Sequence, residues 1–248
     1  LTLHPHYRLV LSTLTRSQRR ELSMTASTWV DLSQVMYPGI PGAKAHGEFE
    51  WWVDRPEVPE HIELRISHIS TAIHMGTHMD AAAHFIPGGK TIEEYETDHF
   101  IGPGVVLDLR REGVIPIDAA DLEQASPGIR DGDIVFIWTG YAEKVGSVDI
   151  HATGHPHLTE DAARWLVDRG VRLIGIDVFT PDLPGNFRPE GFDWPVHQIL
   201  LGNDTLIIEN LGTNLERVAG HRVDISAVPV RVAGAEGGFV VPLARITD

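Results

Sequence analysis

Apolar positions along the chain fall into short unbroken runs and into one clear helical stripe. Runs at 105–109, 133–138, 171–178 and 205–209 are bounded by turn residues and read as buried strands. A period of two at 63–73 (Ile62, Leu64 and Ile66, with His68 and Ser70 continuing the parity) predicts a further strand, and 30–37 predicts another. The latter leads into the turn Pro38-Gly39-Ile40-Pro41-Gly42. A closing strand pair is expected at 231–233 and 239–244, around Glu236-Gly237-Gly238. The best helix begins at Thr159, an N-cap residue, with Glu160 and Asp161 favourably placed against the helix dipole. Ala162, Ala163, Leu166 and Val167 supply its apolar face, and Gly170 ends it. Shorter helices are expected at 117–124 and 196–201. A helix joined to a strand through one glycine is the usual link of an α/β unit. No repeat or second-domain linker is visible, so the pattern predicts one α/β domain with a mixed sheet.

Composition narrows this picture. Apolar residues make up 42% of the 248, enough for a sizeable core. Lys and Arg number 20 against 35 Asp and Glu, a formal charge of −15 that repels phosphate backbones and anionic lipid. No nucleic-acid or membrane partner is therefore expected, and no apolar run approaches the ~18 residues of a transmembrane segment. The absence of cysteine excludes disulfides and thiolate ligands, and agrees with a cytoplasmic location. Residues 1–27 read as an extension: Thr15-Arg16-Ser17-Gln18-Arg19-Arg20 is basic in an acidic chain. It is either an arm that packs on a partner subunit or sequence upstream of a natural start at Met24. Between His46 and Pro59, the aromatics Phe49, Trp51 and Trp52 predict a segment that covers a pocket or a subunit contact, in a homo-oligomer (dimer or tetramer).

The candidate chemistry is concentrated in His74-Met75-Gly76-Thr77-His78-Met79-Asp80-Ala81-Ala82-Ala83-His84. Neutral imidazole and carboxylate are ordinary ligands for zinc or manganese. Positions 74, 78, 80 and 84 share a face of an extended strand, yet such a strand would separate His74 from His84 by roughly 33 Å. One site requires the chain to bend, and Gly76 with the small run 81–83 allows it. The alternative is scattered surface histidines, of which the chain has 14 in all.

This stretch resembles the H-x-G-T-H-x-D-x-P-x-H signature of the cyclase family of metal-dependent hydrolases, which includes bacterial kynurenine formamidases and isatin hydrolases. The match is complete except for Ala82, where the family has proline. The resemblance runs from Trp29 to the C-terminus, so residues 28–248 would form the hydrolase domain. It implies a sandwich-like, barrel-like mixed-sheet core flanked by helices. It also implies one or two divalent ions, Zn2+ or Mn2+, with His74, His78 and Asp80 on one and His197 on a second. Asp80 and Glu209 would bridge them, and His84 would be left as the acid/base. His197 precedes Glu209 by twelve residues, and Ile208-Glu209-Asn210-Leu211 matches the family's segment. Composition alone favours an exposed Glu209, since glutamate is rarely fully buried; the resemblance reverses that. Tyr37, ahead of Pro38-Gly39, stands where the formamidase pattern has a substrate-lining aromatic.

The implied activity is hydrolysis of a C–N bond other than a peptide bond, in an arylformamide or cyclic amide, by metal-bound hydroxide. Histidine can take a proton from water and return it to the leaving nitrogen. Lactone or ester hydrolysis needs the same parts, and a metal- or small-molecule-binding module is the non-enzymatic alternative. Asp177 and Asp182, on and beside the loop after the fifth predicted strand, are candidate supports for the ligands. His155 and His157, separated by Pro156, read as loop residues.

Overall fold

A computed structural model describes residues 28–42, 46–144 and 154–248; the 1–27 extension lies outside them. The core is a nine-stranded mixed sheet. Its strands in chain order are β1 (Val30–Asp31), β4 (His78–Asp80), β5 (Ile101–Asp108), β7 (Ile134–Trp138), β9 (Leu173–Ile176), β10 (Leu206–Glu209), β11 (His221–Ser226), β12 (Gly237–Phe239) and β13 (Leu243–Ile246). Across the sheet they run β1-β13-β11-β5-β7-β9-β10-β4-β12. The four central strands β5, β7, β9 and β10 are parallel, and antiparallel strands flank them on both sides. The sheet curls into a half-barrel and matches the single α/β domain expected.

Side-chain parity explains why both faces are filled. Ile134, Phe136 and Trp138 point to one side with Val106, Leu173, Leu206 and Ile208, where Leu32, Phe100, Leu211, Val223 and Ile225 close the curl. Val135 and Ile137 point to the other with Val105, Leu107, Ile174, Ile176 and Ile207. Three helices cover that second face: α1 (Ala119–Gln124), α2 (Glu160–Asp168) and α3 (Pro195–Leu201). They bury Leu122, Ala162, Ala163, Leu166, Val196, Leu200 and Leu201 there. Each fully buried Leu, Ile or Val stabilises the fold by roughly 1.5–3 kcal/mol relative to exposure. Helix α2 is capped as predicted, with Thr159 Oγ1 accepting from Ala162 N.

Several elements differ from their sequence expectation. The strand expected at 30–37 is ordered as strand only at Val30–Asp31, because Leu32 onward leaves the sheet for the Pro38–Gly39 turn. The strand at 63–73 contracts to β3 (Ile66–Ser70) and pairs with β2 (Glu50–Asp54), not with the main sheet. That ribbon lies mostly open to solvent on both faces, with Trp51 and Trp52 half-exposed. Phe49 is the aromatic of this segment that is buried, against Ile40 and Met75. Residues 231–233 form no strand. β13 pairs instead with β1 and with β11, whose Val223 and Ile225 alternate with polar neighbours, a pattern the sequence reading passes over. A short parallel pair, β6 (Pro116–Ile117) with β8 (His157–Leu158), takes up His157.

Candidate metal centre

The site forms where β4 enters the sheet between β10 and β12. On β4, Met79 points into the core, so His78 and Asp80 point to the helix-covered face. On β10 the same parity sends Ile207 and Glu209 to that face. The antiparallel register sets Glu209 opposite His78 and Ile207 opposite Asp80. Helix α3 packs over these positions and delivers His197 from above.

The bend that a single site demands lies at Gly76, whose φ of +64° is a left-handed conformation open to glycine. It is locked from β10: Asn210 Nδ2 donates to Gly76 O at 3.1 Å, and Thr77 Oγ1 donates to Asn210 O at 2.6 Å. Thr77 therefore secures the bend. On the other flank Gly237 pairs with Asp80, and a Cβ there would sit 2.5 Å from Met79 O and 3.5 Å from His74 Cε1. A side chain at that position would push on the site.

His74, His78, Asp80, His197 and Glu209 converge, all buried. Asp80 Oδ1 lies 2.8 Å from His74 Nδ1 and 3.4 Å from His78 Nε2, while Oδ2 lies 3.5 Å from His197 Nε2. Glu209 repeats the pattern, with Oε2 3.5 Å from His78 Nε2 and Oε1 3.3 Å from His197 Nε2. Each carboxylate thus turns one oxygen to His78 and the other to His197. His78 Nε2 and Asp80 Oδ2 are buried without a hydrogen-bond partner, a costly arrangement that a bound cation would relieve.

The far sides of the rings are engaged. His78 Nδ1 donates to Gly76 O at 2.9 Å and His197 Nδ1 to Asp182 Oδ2 at 2.6 Å, which leaves each Nε2 aimed inward as the atom that would bind an ion once its proton leaves. His74 is oriented by Glu236, whose Oε1 lies 3.1 Å from Nε2. Such outer partners fix the tautomer of metal-binding histidines. Inward-facing ring nitrogens and carboxylate oxygens, and no thiolate, suit a divalent metal, so the residues present fit one.

The electrostatics follow from crowding. Burial pulls the pKa of His78 down, but the charges of Asp80 and Glu209 outweigh it and push it up to about 9. At His197 burial is likewise outweighed, by the hydrogen bond to Asp182 and the neighbouring carboxylates of Asp80 and Glu209, and the pKa goes well up. Glu209 is raised by burial and by the neighbouring Asp80. Burial also acts to raise Asp80, but the charge on His78 and the imidazole hydrogen bonds hold it well below the usual carboxylate range. His84 stacks on His74 at 3.9 Å between centroids, and burial, reinforced by the charges of His74 and His197, lowers it to about 4. With Asp80 and His197 it forms a second group of donor atoms within 4.8 Å of one another, so the geometry offers it to an ion as well as to a proton.

The other predicted residues fall elsewhere. Tyr37 is 46% exposed at the Pro38–Gly39 turn and is not among the converging side chains. Asp182 supports His197, whereas Asp177 accepts hydrogen bonds from Thr139, Tyr141 and Ala142. Two neighbours escaped the sequence reading. Glu236 sits in a stretch that reads as a turn. His46, 5.6 Å from the His74 ring with Nδ1 buried and unpartnered, heads the aromatic segment without any spacing signal.

Fold and site together define a metal-centre protein built on a curled α/β sheet. The chain belongs to the cyclase family, whose family model, described as "Putative cyclase", matches residues 30–183. A kynurenine formamidase of Bacillus cereus (strain ATCC 10987 / NRS 248) is 27% identical over 222 residues, covering 90% of this chain and 99% of that protein. A solved structure of a potential metal-dependent hydrolase with cyclase activity superposes with TM-score 0.70 at 26% identity, over 90% of this chain and all of the other. Isatin hydrolase A from Labrenzia aggregata, at 22% identity, shares the fold with TM-score 0.75 over 94% of this chain and 100% of its own.

Proposed function

We propose that the protein is a metal-dependent hydrolase acting on a C–N bond other than a peptide bond, in an arylformamide or a cyclic amide. The observation that carries this is the double bridge: Asp80 and Glu209 each divide their oxygens between His78 and His197. His74, His78 and Asp80 would hold one ion and His197 a second, with Asp80 and Glu209 shared. Zn2+ and Mn2+ both accept such a nitrogen–oxygen donor set. A bound divalent ion supplies a water nucleophile near neutral pH and stabilises negative charge developing on a carbonyl oxygen. The likeness to kynurenine formamidases over nine-tenths of the chain supports the arylformamide.

The residues around the ions complete the chemistry. His84, neutral because of its burial, accepts a proton from the attacking water at an imidazole nitrogen and returns it to the amide nitrogen, which leaves only when protonated. Phe85 and His74 pack on its ring and hold it beside the site. A dimer or tetramer that covers the exposed Trp51–Trp52 ribbon, and a cytoplasmic location, belong to the same reading.

The test is His84→Ala, followed by elemental analysis and by turnover of an arylformamide, isatin and a simple lactone. The variant should keep its ions and lose roughly 10²–10⁴-fold in rate, the usual contribution of general acid–base catalysis. Loss of the ions with full turnover on reconstitution would make His84 a ligand. Wild-type protein without a divalent ion, and inert when ions are added, would end the hydrolase reading.

A further inference from the structure

One imidazole beside the centre has been given no task, that of His46. Phe49 is buried against Ile40 and Met75, with Met36 packed on the same cluster, which pins the head of the aromatic segment to the residue after His74. Gly47, at φ +74° with open space where a Cβ would stand, makes the turn between His46 and Phe49. The His46 ring lies 5.6 Å from that of His74 and is tilted from it by 39°. It feels the charges of His74, His78 and Asp80, yet it belongs to neither group of donor atoms lying within 4.8 Å of one another. His46 therefore stands one step outside the ligands, at the distance of a molecule held by the centre.

Its two ring nitrogens are not equivalent. The His74 backbone is hydrogen-bonded to the ring in the sense that favours its N–H, so a ring nitrogen donates to the His74 carbonyl. Nδ1 is buried without a partner, which makes Nε2 that donor. Neutral imidazole has one donor and one acceptor nitrogen, and the acceptor here is Nδ1. Nε2 already fixes the ring, so holding His46 in place does not require Nδ1 to be open. A buried acceptor left unpaired costs free energy that a donor from outside the chain would recover.

We propose that His46 is a specificity-determining residue whose Nδ1 accepts a hydrogen bond from the N–H of the scissile amide, so that the centre selects secondary amides over esters and lactones. This rests on the hydrolase reading for the reaction, but not for the binding. Attack on a carbonyl does not by itself separate the two classes, because both present the same carbonyl. An acceptor placed for an N–H does separate them. An ester or lactone brings an oxygen to that place, whose lone pairs leave Nδ1 unpaired. With the N–H held by His46, the lone pair of the amide nitrogen is left for the proton that His84 returns.

The experiment compares formanilide with phenyl formate, of similar shape but without the N–H, in metal-loaded wild type and His46→Ala. The substitution should lower kcat/KM about 10- to 100-fold for formanilide and no more than about 3-fold for phenyl formate, with the metal content unchanged. His46→Asn, whose side-chain carbonyl oxygen can stand near the place of Nδ1, should recover part of the loss. Oxindole and N-methyloxindole, lactams with and without an N–H, are the calorimetric ligands. Wild type should bind oxindole about 10- to 100-fold more tightly, and His46→Ala should bring that ratio to about one. Equal losses for amide and ester in a His46→Ala protein that melts like wild type, loss of its metal, or lactams that wild type does not distinguish would overturn the proposal and make His46 a support for His74. If His46→Ala fails to fold, His46→Asn and the wild-type lactam pair decide. If wild type hydrolyses neither formyl compound, the hydrolase reading falls, and the lactam pair alone decides the role of His46.

Discussion

Two carboxylates buried on the same sheet show how differently a protein can keep such a group. Asp177 follows β9 and is fully enclosed; Oδ1 accepts from Thr139 N at 2.8 Å and Thr139 Oγ1 at 2.7 Å. Its Oδ2 accepts from Tyr141 N at 2.9 Å and Ala142 N at 3.2 Å. Neutral donors alone satisfy it, and it ties the end of β7 to β9. Asp80 ends β4 and is just as buried, but its neighbours are imidazoles, and Oδ2 has no hydrogen-bond partner. Burial raises the pKa of Asp177, whereas at Asp80 the charged imidazoles overcome burial and lower it. A carboxylate closed by backbone N–H groups is a structural joint. One enclosed among inward-facing imidazole nitrogens, with an oxygen left unpartnered, is built for a cation.

The largest effect should come from exchanging the same atoms at the two positions. Asp80→Asn removes the carboxylate at the middle of the cluster, and elemental analysis should show the metal lost, with no measurable hydrolysis. Asp177→Asn should keep the ions and the rate but cost about 1–3 kcal/mol of stability in denaturant titration, because an amide NH2 would face backbone donors. Ions lost equally from both variants would dissolve the distinction.

That distinction was partly legible in the sequence. His74, His78, Asp80 and His84 announce themselves by spacing, because one β4 segment and its bend carry them all. His197 and Glu209 lie more than a hundred residues further on, and only the sheet register that sets Glu209 opposite His78 brings that carboxylate in. Apolar runs located the parallel strands, since strands buried on both faces are continuous in hydrophobicity. The flanking strand β11, half polar, was missed for the opposite reason. Glu236 was hidden in a Gly-rich turn because its partner, His74, is 162 positions away.

Proton competition gives the next effect. In the metal-free fold His78 sits up at about 9 against an ordinary 6.5, so it is charged at neutral pH. Ions can bind only when that proton leaves, and affinity should therefore rise between pH 6.5 and 9 with proton release seen by calorimetry in two buffers. A raised folded pKa stabilises the metal-free fold fully below the unfolded value and ceases to do so as pH passes the folded one. Metal-free melting temperature should thus fall across the window in which metal affinity climbs. Asp177→Asn should retain both slopes and Asp80→Asn should lose them. A flat metal affinity from pH 6.5 to 9 would contradict the charged state of His78.

The smallest effect separates the two outer carboxylates that aim the rings. Asp182 is buried and bonds His197 Nδ1 at 2.6 Å, while Glu236 bonds His74 Nε2 at 3.1 Å with its side chain 43% exposed. Loss of such partners typically weakens metal affinity by about 10–100-fold. Water can replace the exposed oxygen of Glu236 but not the enclosed one of Asp182, so Asp182→Asn should fall near the top of that range and Glu236→Gln near the bottom. Glutamine still accepts a hydrogen bond through its carbonyl oxygen, and Glu236→Gln should therefore leave the His74 ring in place and remove only the charge behind it. Competition titrations with a chelator would measure both. If Glu236→Gln proves the more damaging, His74 depends on that charge more than on its contact with Asp80, and Glu236 belongs to the centre itself.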